Sequence, residues 1–177
     1  MSCCAICGRL AAGFGLNLGG ALGVNSAHCS MRCLDAMYAL VKVGRKPVVG
    51  VRGGPLRTAV EYVGQWVGQQ PSSDLATFTQ AQAQAFVGTI LSAYCWACVA
   101  ESEAEAGLPK VYDAPPPPLD PWHHENRAMV AAQDAAGEFI GKLPYSDLAQ
   151  FTQADCDGLA NAIVGAFIKF NDGEMPF

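Results

Sequence analysis

The sequence predicts a mainly α-helical protein, in which a small N-terminal metal lobe precedes a duplicated helical hairpin that forms a helix bundle. Three observations predict it. Four cysteines fall in two close pairs, in the pattern C-x2-C-x21-C-x3-C. A stretch in the second half of the chain repeats one in the first half. Apolar residues in both copies recur every three or four positions, the period of a helix with a buried face, rather than alternating as in a strand.

At 177 residues and 18.6 kDa the chain suits one compact domain or two small ones. Hydrophobic residues make up 51% and charged residues 15%, which supplies a core and excludes global disorder. A net charge of -5 and a pI near 5.0 exclude a uniformly basic nucleic-acid coat. Charge is nevertheless segregated: residues 1–58 carry seven basic residues against Asp35 alone, net +6, and the remainder is net -11.

From the N-terminus, Cys4-Ala-Ile-Cys7-Gly8 reads as a knuckle that offers two thiolates on a tight turn, with Gly8 letting the backbone curl so that its N–H groups face sulfur. Gly13, Gly15 and Gly19 miss the dinucleotide fingerprint by one residue and read as hairpin turns. The second pair, Cys29 and Cys33, opens a helix capped by Ser30, which runs through Leu34, Met37, Tyr38 and Val41 and stops at Gly44. Cys4, Cys7, Cys29 and Cys33 therefore predict one structural Zn²⁺, with four soft ligands and no open position. Cys3 in place of Cys4, or His28 in place of Cys29, is an alternative that spoils the spacing. Residues 1–54 form this basic lobe; its Gly50–Gly54 stretch lacks the Gly-Lys-Ser/Thr ending of a phosphate loop.

Residues 55–177 form an acidic helical lobe of two repeats, 55–105 and 121–170. Ala59-Val-Glu-Tyr-Val-Gly64 matches Ala136-Gly-Glu-Phe-Ile-Gly141, and Ser73-Asp-Leu-Ala-Thr-Phe-Thr-Gln-Ala81 matches Ser146-Asp-Leu-Ala-Gln-Phe-Thr-Gln-Ala154. Each copy predicts helix, turn, helix. Thr79 with Gln82, and Thr152 with Asp155, have capping-box spacing. The Ser-Asp-Leu-Ala turn folds into one helical turn capped by Ser or Asp. Phe86, Ile90 and Tyr94 align with Leu159, Ile163 and Phe167. The prolines at 114–118 form an extended strap, after which Asp120-Pro121 restarts a helix.

Ala85 to Ala100 is uncharged but shorter than the ~20 residues of a bilayer span, so a buried core helix is expected. Leu10 to Val24 contains Asn17 and several glycines, unlike a secretory leader, and an intracellular protein with reduced thiols follows as the expectation. Cys95-Trp-Ala-Cys98 lies within the helical pattern and reads as core packing; a second metal held with His123 and His124 is the sharper alternative. Cys156 aligns with Ala83 and reads as packing. Glu101, Glu103 and Glu105 alternate around a helix end and read as a solvated face.

The cysteine pairs, with Cys29-Ser30-x-x-Cys33 as the second, resemble a treble-clef zinc finger of the FCS and TRASH-like type. The stretch from Gly141-Lys142 to Ala149 resembles an uncharacterised phage and prophage domain family. These resemblances imply a zinc-binding accessory protein in the cytoplasm of a bacterial host. No nucleophile, base and oxyanion donor fall together, so a non-enzymatic role is expected, with no small-molecule substrate and no membrane. Two functions follow from the charge pattern. In the first, Arg32, Lys42, Arg45, Lys46 and Arg52 contact phosphates of nucleic acid or of a nucleic-acid machine. In the second, the chain is a structural or inhibitory protein-interaction module, including a decoy of DNA charge, in which the basic lobe docks on the acidic bundle or on a protein partner.

Overall fold

Mainly helical secondary structure follows the two helical periodicities closely. The structure, a computed structural model, describes residues 3–11, 14–17, 25–48, 50–109, 119 and 125–173. Among these, the order is a cysteine knuckle, an antiparallel hairpin of β1 (Phe14–Asn17) and β2 (Asn25–His28), then α1 (Met31–Lys42), α2 (Gly53–Val67), α3 (Gln80–Glu105), α4 (Asn126–Ile140) and α5 (Gln153–Asp172). The proline strap, Asp120-Pro121 and the pair His123-His124 lie outside the described residues; α4 is described from Asn126.

Helix α1 starts and stops where the sequence placed it. The Ser30 hydroxyl accepts from the Cys33 amide, 3.3 Å. At the other end Gly44 adopts φ +74°, and Gly44 N–H to Val41 O (3.0 Å) with Arg45 N–H to Leu40 O (2.9 Å) close a Schellman motif. Ala36, Met37 and Leu40 are buried against the bundle.

Both repeats are helix, 3-10 turn, helix: α2 with α3, and α4 with α5. Asp74 (φ -81°, ψ 109°) and Asp147 (φ -78°, ψ 115°) cap turns Leu75–Thr77 and Leu148–Gln150, each accepting from the amide two residues on at 3.0 Å. Both predicted capping boxes form, at Thr79 with Gln82 and Thr152 with Asp155. The two turns also grip each other across a local two-fold relation. Ser73 Oγ donates to Asp147 at 2.6 Å while Ser146 Oγ donates to Asp74 at 2.5 Å; Leu75 N–H reaches Ser146 O and Leu148 N–H reaches Ser73 O. That Ser73 bond holds the Asp147 carboxyl below its usual range. Because the two caps are built alike, Thr79→Ala and Thr152→Ala should each cost about 1 kcal/mol, read as a fall in urea midpoint at unchanged m. An unaffected midpoint for either would remove that capping box from the account.

Helix α3 runs through the middle. Its residues from Phe86 to Val99 are buried on all sides except at Trp96, so its apolar surface is covered by protein, although by length and composition alone it would cross a membrane. Phe86, Ile90 and Tyr94, and their counterparts Leu159, Ile163 and Phe167, all sit in the core as aligned. That core is continuous with the cysteine lobe: Cys4, Cys7, Cys29, Cys33 and Met37 belong to the same cluster as Leu91 and Phe167. Residue 54, the boundary between lobes in the sequence, lies in the first turn of α2.

Candidate metal centre

The knuckle is a single tight turn. Gly8 has φ +77°, and its N–H donates to Cys4 O at 2.9 Å instead of facing sulfur, while Cys4 N–H donates to Arg9 O. A side chain at Gly8 is excluded doubly, since a Cβ there would meet Ile168 of α5 at 2.6 Å. Ala5 N–H bonds Ala27 O at 3.2 Å, which ties the knuckle to β2 and sets the first cysteine pair beside Cys29 at the strand's end. Cys33 enters from the first turn of α1.

The four sulfurs of Cys4, Cys7, Cys29 and Cys33 lie within 4.8 Å of one another, and all four residues are buried. Three separations are 3.4 Å (Cys7 to Cys29), 3.6 Å (Cys29 to Cys33) and 3.8 Å (Cys33 to Cys7). A tetrahedron of sulfurs 2.3 Å from a central Zn²⁺ has edges of about 3.8 Å, which these three separations approach. The electrostatics call for a cation. Hydrogen bonds from Cys29, Cys33 and Cys7 hold the Cys4 thiol far below its ordinary range, while the contact with Cys29 pushes both Cys7 and Cys33 above theirs. Four buried thiolates side by side repel one another and require a countercharge.

Neither alternative ligand joins the cluster. His28 is fully buried and hydrogen-bonds the Cys4 sulfur from outside the set. The Cys3 thiol, pushed up to about 12 by burial and then by Asp172, turns away toward the end of α5. Cys98 packs in the core with its thiol raised to about 12 by burial. Cys95 packs there too, and its Sγ donates to Cys7 O at 3.4 Å. The cavity against the knuckle holds about 10 Å³, at the lower limit for one water.

Helix α3's glutamates differ from the solvated face expected of them. Glu103 is 7% exposed and takes Arg32 in a bidentate pair, both bonds at 2.7 Å. Glu101 pairs with Arg52 Nη1 at 3.1 Å, and Glu105 with Arg45 at 3.6 Å. Arg52 is 8% exposed; it also donates to Ser102 Oγ and to Ile6 O. Lys42 and Lys46 are exposed, Lys42 with its Nζ 4.5 Å over the Tyr38 ring. One pair gave no signal in sequence: Glu125, fully buried, accepts from Arg9 at 2.6 and 3.2 Å and from the Leu10 amide at 3.1 Å.

A family model described as a family of unknown function, DUF6511, matches residues 119–170. That segment spans α4 and nearly all of α5, the second repeat. No curated protein and no solved structure matches the chain.

Proposed function

We propose that the protein is a non-enzymatic helical module that acts by binding a protein partner, its N-terminal lobe stapled by one structural Zn²⁺. The observation that carries this reading is where the basic charge goes. Arg9, Arg32, Arg45 and Arg52 meet Glu125, Glu103, Glu105 and Glu101, which leaves Lys42, Lys46 and Arg57 against Asp35 in residues 1–58. Four thiolates around Zn²⁺ add about -2, so the bound lobe presents almost no net positive charge. Segregated charge thus serves to dock one half of the chain on the other. A decoy of DNA charge is weakened by the same pairs, because they take four carboxylates from the helices.

Zinc is the metal that four buried thiolates in a closed tetrahedron favour. The order of knuckle, antiparallel hairpin and a helix that carries Cys33 just after Cys29 supports a treble clef. A phage or prophage setting in a bacterial cytoplasm rests on the resemblance of the 141–149 stretch. For a partner's apolar side chain, an open cleft of about 290 Å³ between α2 and the start of α5 is lined by Val60, Val63, Leu148, Cys156 and Leu159.

Nucleic-acid binding is the second reading, favoured by the exposure of Lys42, Arg45 and Lys46 together at the end of α1. Gel retardation with duplex DNA at about 50 and about 200 mM salt separates the two. We expect no shift at either. A shift that falls steeply with salt, and that K42A/K46A abolishes for all sequences alike, would transfer the assignment to nucleic acid.

A further inference from the structure

Each of the four helices α2 to α5 delivers one buried polar side chain to the backbone of residues 6–10. Arg52, at the start of α2, donates through Nη2 to Ile6 O at 2.9 Å. Cys95 of α3 donates to Cys7 O at 3.4 Å. Asn171, in the last turn of α5, donates through Nδ2 to Gly8 O at 3.2 Å. Glu125, at the start of α4, holds Arg9 and the Leu10 amide. None of the four is more than 8% exposed. The three successive carbonyls of the knuckle are therefore satisfied by three different helices, and the fourth helix fixes the next two residues.

From this arrangement we propose that Arg52, Cys95, Glu125 and Asn171 are positioning residues of the metal site, so that metal binding and docking of the knuckle on the bundle are one coupled event. The inference rests on the metal reading above. Its physical basis is mutual. The knuckle takes up the shape that presents Cys4 and Cys7 only when its turn is closed, and a closed, buried turn leaves carbonyls that need donors. Conversely, Asn171 and Glu125 are buried polar groups that lose their bonds to Gly8, Arg9 and Leu10 when the knuckle leaves. Coupling of two equilibria is reciprocal, so weakening the helix contacts weakens the metal, and removing the metal loosens helices that contribute no ligand.

The test uses the full chain loaded with Co²⁺, whose sulfur charge-transfer absorption reports thiolate ligation, followed by displacement with Zn²⁺ and competition against a chelator. Asn171→Ala and Glu125→Gln should each lower affinity by about 10–100-fold, the range for groups that orient ligands from outside the coordination shell. Ser73→Ala, at the far end of the helices, should leave affinity unchanged. Wild-type protein should also show, on chelation, faster amide exchange throughout the bundle, α4 and the last turn of α5 included. Wild-type protein without thiolate absorption overturns the metal reading and this inference with it. Normal absorption, with unchanged affinity in both variants, overturns the coupling alone. If the variants do not fold, exchange in the wild type decides: a change confined to residues 3–44 overturns the proposal.

Discussion

Cys33→Ser should release the metal and unfold the whole chain in one transition, not the first 44 residues alone. Structural zinc contributes on the order of 10–16 kcal/mol in small zinc domains, against a net stability of about 5–15 kcal/mol for an ordinary domain. The loss cannot stay local, because Ala36, Met37 and Leu40 of α1 and the four cysteines are buried in the same cluster as Ile90, Leu91 and Phe167. Serine retains the size of the ligand but supplies a hydroxyl that stays protonated near neutral pH, and a set of three thiolates with an open side replaces a closed tetrahedron. Acid should act in the same direction, since protons compete with the metal for sulfur and release it as pH falls. Trp66 and Trp96 report on α2 and α3, so thermal unfolding followed by tryptophan fluorescence should coincide with loss of the Co²⁺ band in the wild type. A metal-free C33S protein that keeps its helical circular dichroism and a cooperative melt would refute the prediction.

Glu103→Ala is expected to cost about 3 kcal/mol, the low end for breaking a buried ion pair, because the Arg32 side chain is 30% exposed and recovers some hydration. The loss arises mainly from what remains. Arg32 is left against the C-terminal part of α3 with its bidentate partner gone, while Cys33 beside it in the chain is a candidate metal ligand. For that reason R32M/E103M, which replaces both charges with apolar groups, should be more stable than Glu103→Ala by itself. Urea unfolding of Arg32→Met, Glu103→Met and the R32M/E103M double variant measures the coupling. Additive effects would mean that the pair is an incidental surface contact, and the argument that the lobe's arginines serve docking would lose its strongest member.

What the chain discloses before it is folded depends on how local the cause is. Each cysteine pair, the Ser30 and Thr152 caps and the Gly44 stop are written within a few residues, the repeat shows as one stretch matching another, and each appears in the structure at the position the spacing requires. The docking pairs are written across 116 residues for Arg9 with Glu125 and 71 for Arg32 with Glu103, so no window of sequence contains both partners. Alternation at 101, 103 and 105 misled for a geometric reason. Residues two apart on a helix point about 200° away from each other, which looks like dispersal into solvent when the helix is considered by itself. Here Glu103 is buried, and the three glutamates pair with three separate segments of the N-terminal lobe: α1, the stretch after it, and the start of α2. Asn171 and Glu125 carried no signal at all, because a buried polar residue is recognisable only through the partner that justifies it.

The crossed turns at Ser73-Asp74 and Ser146-Asp147 also decide what this duplication can become. Tandem repeats that follow one another by translation leave an open face at each end, onto which a further copy can always be added. Here each copy gives a serine to the other's aspartate and receives one in return, so every half of the joint is already matched. Such an isologous contact closes after two members, as in a two-fold dimer whose subunits happen to share one chain. A third hairpin added to this gene would find no vacant half-joint, and elongation of the array ends at two.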